Sequence, residues 1–218
     1  MTANRLLDNL SHRTTRYEDS KLVQTPSFYQ SEDEVHHEFI TSAKTAISRR
    51  GPSAPPKQIA NEYAHLLREG STLNLGKGRD QWDSDLLINH TGHCNDYDFS
   101  YCPDVSVLTG SYKTIYAGFV VNVLTPSARH KLWTTLANLS CRKDGLVIVA
   151  ARSNTDRGIK GVREFDGYRV RKLGSFQKGY FLSELESEAK QYFRYSKEIS
   201  TRGTFRIAIC SNAAEIPV

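Results

Sequence analysis

The sequence predicts an α/β fold: a mostly parallel sheet with helices on both faces and an antiparallel last strand. Three observations predict it. Apolar runs of strand length alternate with amphipathic stretches of helix length from residue 57 onward. The run LVIVAA, 146–151, is apolar throughout, as a central strand covered on both faces should be. The late order of helix, strand, helix and strand ends on TFRIAIC, 204–210, which leaves room for a strand that turns back.

The elements follow in order. RLLDNL, 5–10, reads as a short helix, and QSEDEVHHEFITSAKTAI, 30–47, as a helix with an acidic start and apolar spacing at Val35, Phe39 and Ala43. SRRGPSAPPKQ breaks that pattern with three prolines and a glycine. Lys57 to Glu69 has a shared apolar face at Ile59, Tyr63, Leu66 and Leu67, with Gly70 at the stop position. STLNLG is a short strand, RDQWDSDLLIN a short helix and HCNDYD a strand that ends on acids. YKTIYAGFVVNVL holds a buried strand. Thr125-Pro126 is an N-cap followed by proline at the first helical position, opening a helix striped by Leu132, Trp133, Leu136 and Leu139. GYRVRKLGSFQKGYF is extended or a hairpin. Ser183 and Glu186 form a capping box for a helix running to about Tyr192. Residues 1–56 thus read as an N-terminal helical extension and lid, and 57–218 as the core domain.

Composition narrows the function classes. The 218 residues suit one domain, and 39% hydrophobic with 24% charged is ordinary for a soluble protein. No apolar run approaches the roughly 20 residues a bilayer span needs. The N-terminus lacks an apolar signal core, so a cytoplasmic location is expected. Cys94, Cys102, Cys141 and Cys210 are scattered and read as free thiols. His36 and His37, adjacent on a helix, point in different directions and make no metal pair. The net charge of +5 lies wholly after residue 150; Arg152 to Lys178 alone holds 8 basic and 3 acidic residues. Such a segment can steer an anionic partner, nucleic acid included.

The stretch STLNLGKGRDQW, 71–82, ends a strand in Gly-x-Gly. In open α/β sheets ligands bind beyond the carboxyl ends of the strands. Gly76 and Gly78 let the backbone pass close to a ligand where a side chain would fill the space. DYD, about 20 residues on, places Asp98 or its rival Asp96 at the end of the second strand, where a carboxylate can accept ribose hydroxyls. A dinucleotide fingerprint is disfavoured, because its third glycine would fall at Gln81.

The order LNLGKGRD, DFSYCP (98–103), GFVVNVL, helix, then GLVIVAAR resembles class I S-adenosylmethionine-dependent methyltransferases. In particular it resembles the methyltransferases associated with DNA phosphorothioation gene clusters and their phage-borne relatives. KTAISRRGPSAP before the core, LNLGKGRD, and GSFQKGYFLSEL after the fifth strand carry that resemblance, over roughly residues 40 to 195. It implies a Rossmann-like fold and S-adenosyl-L-methionine as cofactor. By the same resemblance Asn74, Gly76 and Gly78 line the methionine portion, Asp98 holds the ribose, and Asn122, at the end of the family's fourth strand, sits near the sulfonium. Asn74 stands where the family carries an acid, and Arg79 where it carries a glycine; Asp80 is the substitute acid. Lys44 and Arg49 in KTAISRR, and Gln177 and Lys178 in SFQKGYF, are candidate substrate contacts.

The acceptor is less defined. Methyl transfer to a good nucleophile is mostly alignment and exclusion of water, so a catalytic base is not always required and its absence is no argument against the reaction. AGFVVNVL lacks the Asp/Asn-Pro-Pro-aromatic quartet of amino-group base methylation, and no cysteine sits in the Pro-Cys context of cytosine C5 chemistry. A G-x-S-x-G elbow is absent as well. The expectation is a methyltransferase acting on nucleic acid or a nucleotide-like substrate in the cytoplasm, a host cytoplasm where the resemblance to phage-borne relatives holds. A small-molecule methyltransferase and a non-catalytic binding protein of the same fold are the alternatives.

Overall fold

The computed structural model describes residues 30–216 and 218. The expected helix at RLLDNL lies outside them. One six-stranded sheet organises the chain. Its strands are β1 (Thr72–Leu75), β2 (Asn95–Tyr97), β3 (Thr114–Gly118), β4 (Leu146–Arg152), β8 (Tyr195–Ile199) and β9 (Phe205–Ser211), in the spatial order β2-β1-β3-β4-β9-β8. Pairs from β2 to β4 are parallel; β9 runs antiparallel to both β4 and β8. A second, three-stranded antiparallel sheet holds β5 (Val162–Glu164), β6 (Gly167–Arg169) and β7 (Phe176–Gln177).

Strand parity sorts the core into two layers. Leu73, Leu75, Ile115, Ala117, Val147 and Val149 face one way, toward helix α1 (Glu32–Ser42) and the long helix α4 (Pro126–Leu139). Tyr116, Leu146, Ile148, Ala150, Ile207 and Ile209 face the other way, with Ile59 of α2 (Ala54–Glu62) and Leu87 of α3 (Trp82–Thr91). Both faces of β4 are therefore sealed, which is why its sequence shows no alternation. A short helix α5 (Glu184–Ala189) leans on β8 and β9.

Several elements depart from expectation for local reasons. SRRGPSAPPKQ does separate two helices, but the second starts at Ala54, ahead of the expected Lys57: Ser53 is the N-cap of α2 and Pro55 lies in its first turn, where no amide hydrogen is needed. That helix stops at Glu62, well short of Glu69, and a 3₁₀ turn at Ala64–Leu66 buries Leu66 instead. The capping box at Ser183 does not form. Ser183 has φ +63 and no side-chain cap, and the helix it precedes ends at Ala189. Glu186 instead accepts the Glu198 amide at 2.8 Å. Strand β8, YSKEI, went unanticipated because its exposed Lys197 breaks any apolar run. By contrast Ser31 and Glu34 do form a capping box at the start of α1.

Candidate active site

The carboxyl ends of β1, β2 and β3 open onto one cleft. Its floor is the turn Gly76-Lys77-Gly78, with φ +84 at Gly76 and +72 at Gly78. Both are left-handed positions that favour glycine. The turn is tied to β2. The amides of Gly76 and Lys77 donate to the Tyr97 carbonyl at 2.7 and 3.2 Å, and the Gly78 amide donates to Asp98 Oδ2 at 2.9 Å. Asp98 Oδ1 accepts the Ser100 and Tyr101 amides, so one carboxylate fixes two loops. Space over the floor is uneven. Val120 rests on Gly76, whereas the nearest atom to a Cβ built on Gly78 is the Ala46 methyl at 3.9 Å. The open floor is therefore at Gly78.

The roof is the strap that follows α1. Residues Ala43, Thr45, Ala46, Ile47 and Arg49 line the cleft, and hydrogen bonds pin the strap at several points. Tyr101 Oη donates to the Ala43 carbonyl at 3.1 Å. The Arg49 amide donates to Asp80 Oδ2 at 2.5 Å, and Trp82 Nε1 donates to the Arg49 carbonyl at 3.1 Å. At the far end Asp83 accepts both the amide and the hydroxyl of Ser53, at 2.6 and 2.8 Å. Phe39 of α1 stacks on Phe99 with ring centroids 5.7 Å apart, closing the side.

The inner walls mix apolar and polar groups. Leu108, Val123 and Leu132 are buried there beside Tyr97 and Phe99. Burial, with the Asp98 charge adding to it, pushes the Tyr97 phenol up to about 12, so it stays neutral. Phe119 lines the cleft at φ +61, a left-handed conformation that is costly for a bulky side chain, of order 1–3 kcal/mol. Its amide donates to the Ala150 carbonyl at 2.7 Å, which holds the turn in place. Tyr116, 1% exposed, reaches the cleft with its hydroxyl against Gly118 and no hydrogen-bond partner among the described residues. Leaving such a group unpaired costs about 1–3 kcal/mol.

The residues singled out from sequence fall into two groups. Gly76, Gly78, Asp98 and Arg49 come together in the cleft, and Asp80 braces the strap. The others lie elsewhere. Asn74 points to the α3 side of the sheet, where it donates to Ser84 Oγ at 2.9 Å and Ser84 donates to Asp96 at 2.6 Å. Strand parity sets this, because Leu75 rather than Asn74 faces the cleft. Asn122 lies beyond the end of β3, buried in a 3₁₀ turn at Val121–Val123, where its Oδ1 accepts the Arg152 amide. Lys44 is exposed, with Nζ 3.5 Å from the Leu173 carbonyl. Gln177 accepts from Arg152, and Lys178 is buried between Asp166 and Glu184 at 2.6 and 2.7 Å. The basic segment is partly spent in the same way: Arg152 pairs with Asp156, and Arg169 with Glu38 and Glu164. Tyr116, Asp83 and Phe119 were missed. Asp83 was visible only as a further acid near Asp80, and a left-handed Phe119 has no sequence signal.

No family model and no curated protein matches the chain. Solved structures do. The Burkholderia thailandensis 1,6-didemethyltoxoflavin-N1-methyltransferase, with bound 1,6-didemethyltoxoflavin and S-adenosylhomocysteine, superposes with a TM-score of 0.56 at 13% identity, covering 91% of this chain and 99% of that one. The DhpI-SAM-HEP complex gives 0.50 at 15%, covering 84% and 99%. An S-adenosylmethionine-dependent methyltransferase from Clostridium acetobutylicum gives 0.50 at 9%, covering 84% and 99%. The chain has the class I methyltransferase fold, Rossmann-like, with the antiparallel last strand. No described helix is long and apolar enough to cross a membrane.

Proposed function

We propose that this protein is an S-adenosylmethionine-dependent methyltransferase. One observation carries the reading: a glycine turn beyond β1, locked to Asp98 beyond β2 and roofed by a strap, at the site where this fold binds its ligands. The residues present suit the cofactor. Asp98, beyond β2, supplies an acceptor for ribose hydroxyls in this reading, and Phe99, Leu108 and Leu132 supply apolar surface for a purine. The unpaired Tyr116 hydroxyl and Arg49 offer donors to a carboxylate.

When bound, the cofactor supplies a methyl group on a positively charged sulfur. The chain's own contribution is to orient the reactants and exclude water. Phe119, Val120 and Val123 give the cleft an apolar wall, and the strap covers it. The acceptor we propose is planar and nucleobase-like. Trp82 and Tyr101 are exposed beside the strap, and the Arg79 guanidinium lies 5.1 Å from the Tyr101 ring centroid. Aromatic faces next to cations suit stacking with phosphate contact. A small-molecule acceptor is the second reading, favoured by the strap, which narrows access to the cleft.

Calorimetric titration with S-adenosylmethionine and S-adenosylhomocysteine tests the cofactor. Micromolar binding is expected, and no binding up to millimolar ligand would overturn the proposal. Transfer of a labelled methyl group to single-stranded oligonucleotides, nucleotides and small heteroaromatics then separates the acceptors. Salt-sensitive transfer to oligonucleotides supports the first reading.

A further inference from the structure

Asn74, in the position from which the family's first-strand acid would act, is turned away from the cleft and bonded to Ser84. A group on the neighbouring strand lies across from it. Tyr116 pairs with Asn74 in the β1–β3 register, and its longer side chain reaches the cleft that Asn74 does not line. Among the described residues its buried hydroxyl makes no hydrogen bond of ordinary geometry, although Ser53 is near enough to act on it, and it lies against the bare Cα of Gly118, where a Cβ would stand 2.4 Å away. Buried tyrosine hydroxyls ordinarily find a partner. Two charged side chains of opposite sign line the same cleft: Arg49 on the strap and Asp83 in the first turn of α3.

A neutral donor, a cation and an anion together match a zwitterionic α-amino acid, whose carboxylate needs donors and whose ammonium needs an acceptor. We propose that Tyr116, with Arg49 and Asp83, forms the subsite for the amino-acid end of the cofactor, taking over the task that the first strand has given up. This rests on the cofactor reading above. The Tyr116 hydroxyl and Arg49 donate to the carboxylate, and Asp83 accepts from the ammonium while keeping Ser53 on its other lone pairs. Burial, and the Asp83 charge beside it, raise the Tyr116 pKa, so the phenol is a neutral donor at physiological pH.

The test uses two ligands that share the adenosine but differ at that end: S-adenosylhomocysteine, and 5′-methylthioadenosine, which lacks the amino acid. Calorimetry on wild type, Tyr116→Phe and Arg49→Gln gives the affinity ratio. The wild type should prefer S-adenosylhomocysteine. Tyr116→Phe should weaken it about tenfold, and leave 5′-methylthioadenosine within about twofold. Arg49→Gln should lower the same ratio. The melting temperature of ligand-free Tyr116→Phe should hold or rise, since the buried hydroxyl it removes makes no hydrogen bond of ordinary geometry among the described residues. If wild type binds S-adenosylhomocysteine and the ratio is unchanged in both variants, this subsite is wrong while the cofactor reading stands. If wild type binds neither ligand, the cofactor reading falls and takes the subsite with it.

Discussion

Val120 closes directly on Gly76: its Cγ2 stands 2.1 Å from where a Cβ on residue 76 would be. The glycine that sequence reasoning assigned to close ligand approach is thus needed first by the protein's own packing. Gly76→Ala meets two costs, the left-handed φ of +84 and the Val120 methyl. Together they should destabilise the fold by about 2–4 kcal/mol. Val120→Ala in the same chain should recover the steric part and leave the backbone part. Urea unfolding of the two single variants and the double gives the coupling. Additive effects would mean the two residues do not share that contact.

Asp98 is an acceptor for three backbone amides, at Gly78, Ser100 and Tyr101. Asparagine can supply one oxygen but presents an NH₂ group where the other stood. Asp98→Asn should therefore free the Gly78 amide while keeping the pair at Ser100 and Tyr101. The expected cost is about 1–3 kcal/mol. Hydrogen exchange should quicken at Gly78 more than at Tyr101. Equal protection in variant and wild type at Gly78 would show that the carboxylate does not hold the glycine turn.

The fold was legible because its signals are local and repeated. LVIVAA declares a doubly covered strand, Thr125-Pro126 marks the start of α4, and the acidic start with the spacing of Val35 and Phe39 marks α1. The errors arose where one signal has two uses. Pro55 and Pro56 read only as the end of one helix yet also open the next, and Ser183 reads as a cap but takes a left-handed turn. The candidate site was legible in its loops and not in its walls. Gly76, Gly78 and Asp98 carry a spacing, whereas Tyr116 reaches the cleft only through strand register, and the count over the basic segment left out Glu38 and Glu184, which pair with it from outside.

Glu198 offers a pH test. Its side chain is 5% exposed, Arg206 is 3.7 Å away, and Oε2 has no hydrogen-bond partner among the described residues. Burial raises its pKa, with Arg206 opposing in part. A raised carboxyl contributes stability that is full below the ordinary carboxylate pKa and is lost as pH rises through the folded value. Glutamine does not titrate. The stability of Glu198→Gln relative to wild type should therefore improve between about pH 4 and about pH 8. Thermal melts across that range check the sign, and a difference that stays flat or falls would show that Glu198 is not held unfavourably as a charge.

Arg129 anchors the polar cluster that fastens the β5–β6 turn of the small sheet to helices α4 and α5. It is 4% exposed and donates to Glu188 at 3.0 Å, to Asp166 and to the Leu124 carbonyl. Glu188 also accepts from Trp133 Nε1 at 2.7 Å and from Tyr180 Oη at 3.2 Å. Arg129→Met removes the cation and leaves Glu188 among neutral donors, at 17% side-chain exposure. Breaking a buried pair from one side costs about 3–5 kcal/mol, and this variant should fall in that range. Arg171→Ala and Lys172→Ala, at exposed positions of the basic segment 152–178, should stay within about 0.5 kcal/mol of wild type. Denaturant midpoints for the three variants separate cations that build the protein from cations on its surface. If Arg129→Met unfolds no more easily than the two surface variants, the cluster adds nothing to stability, and its retention would need a functional cause.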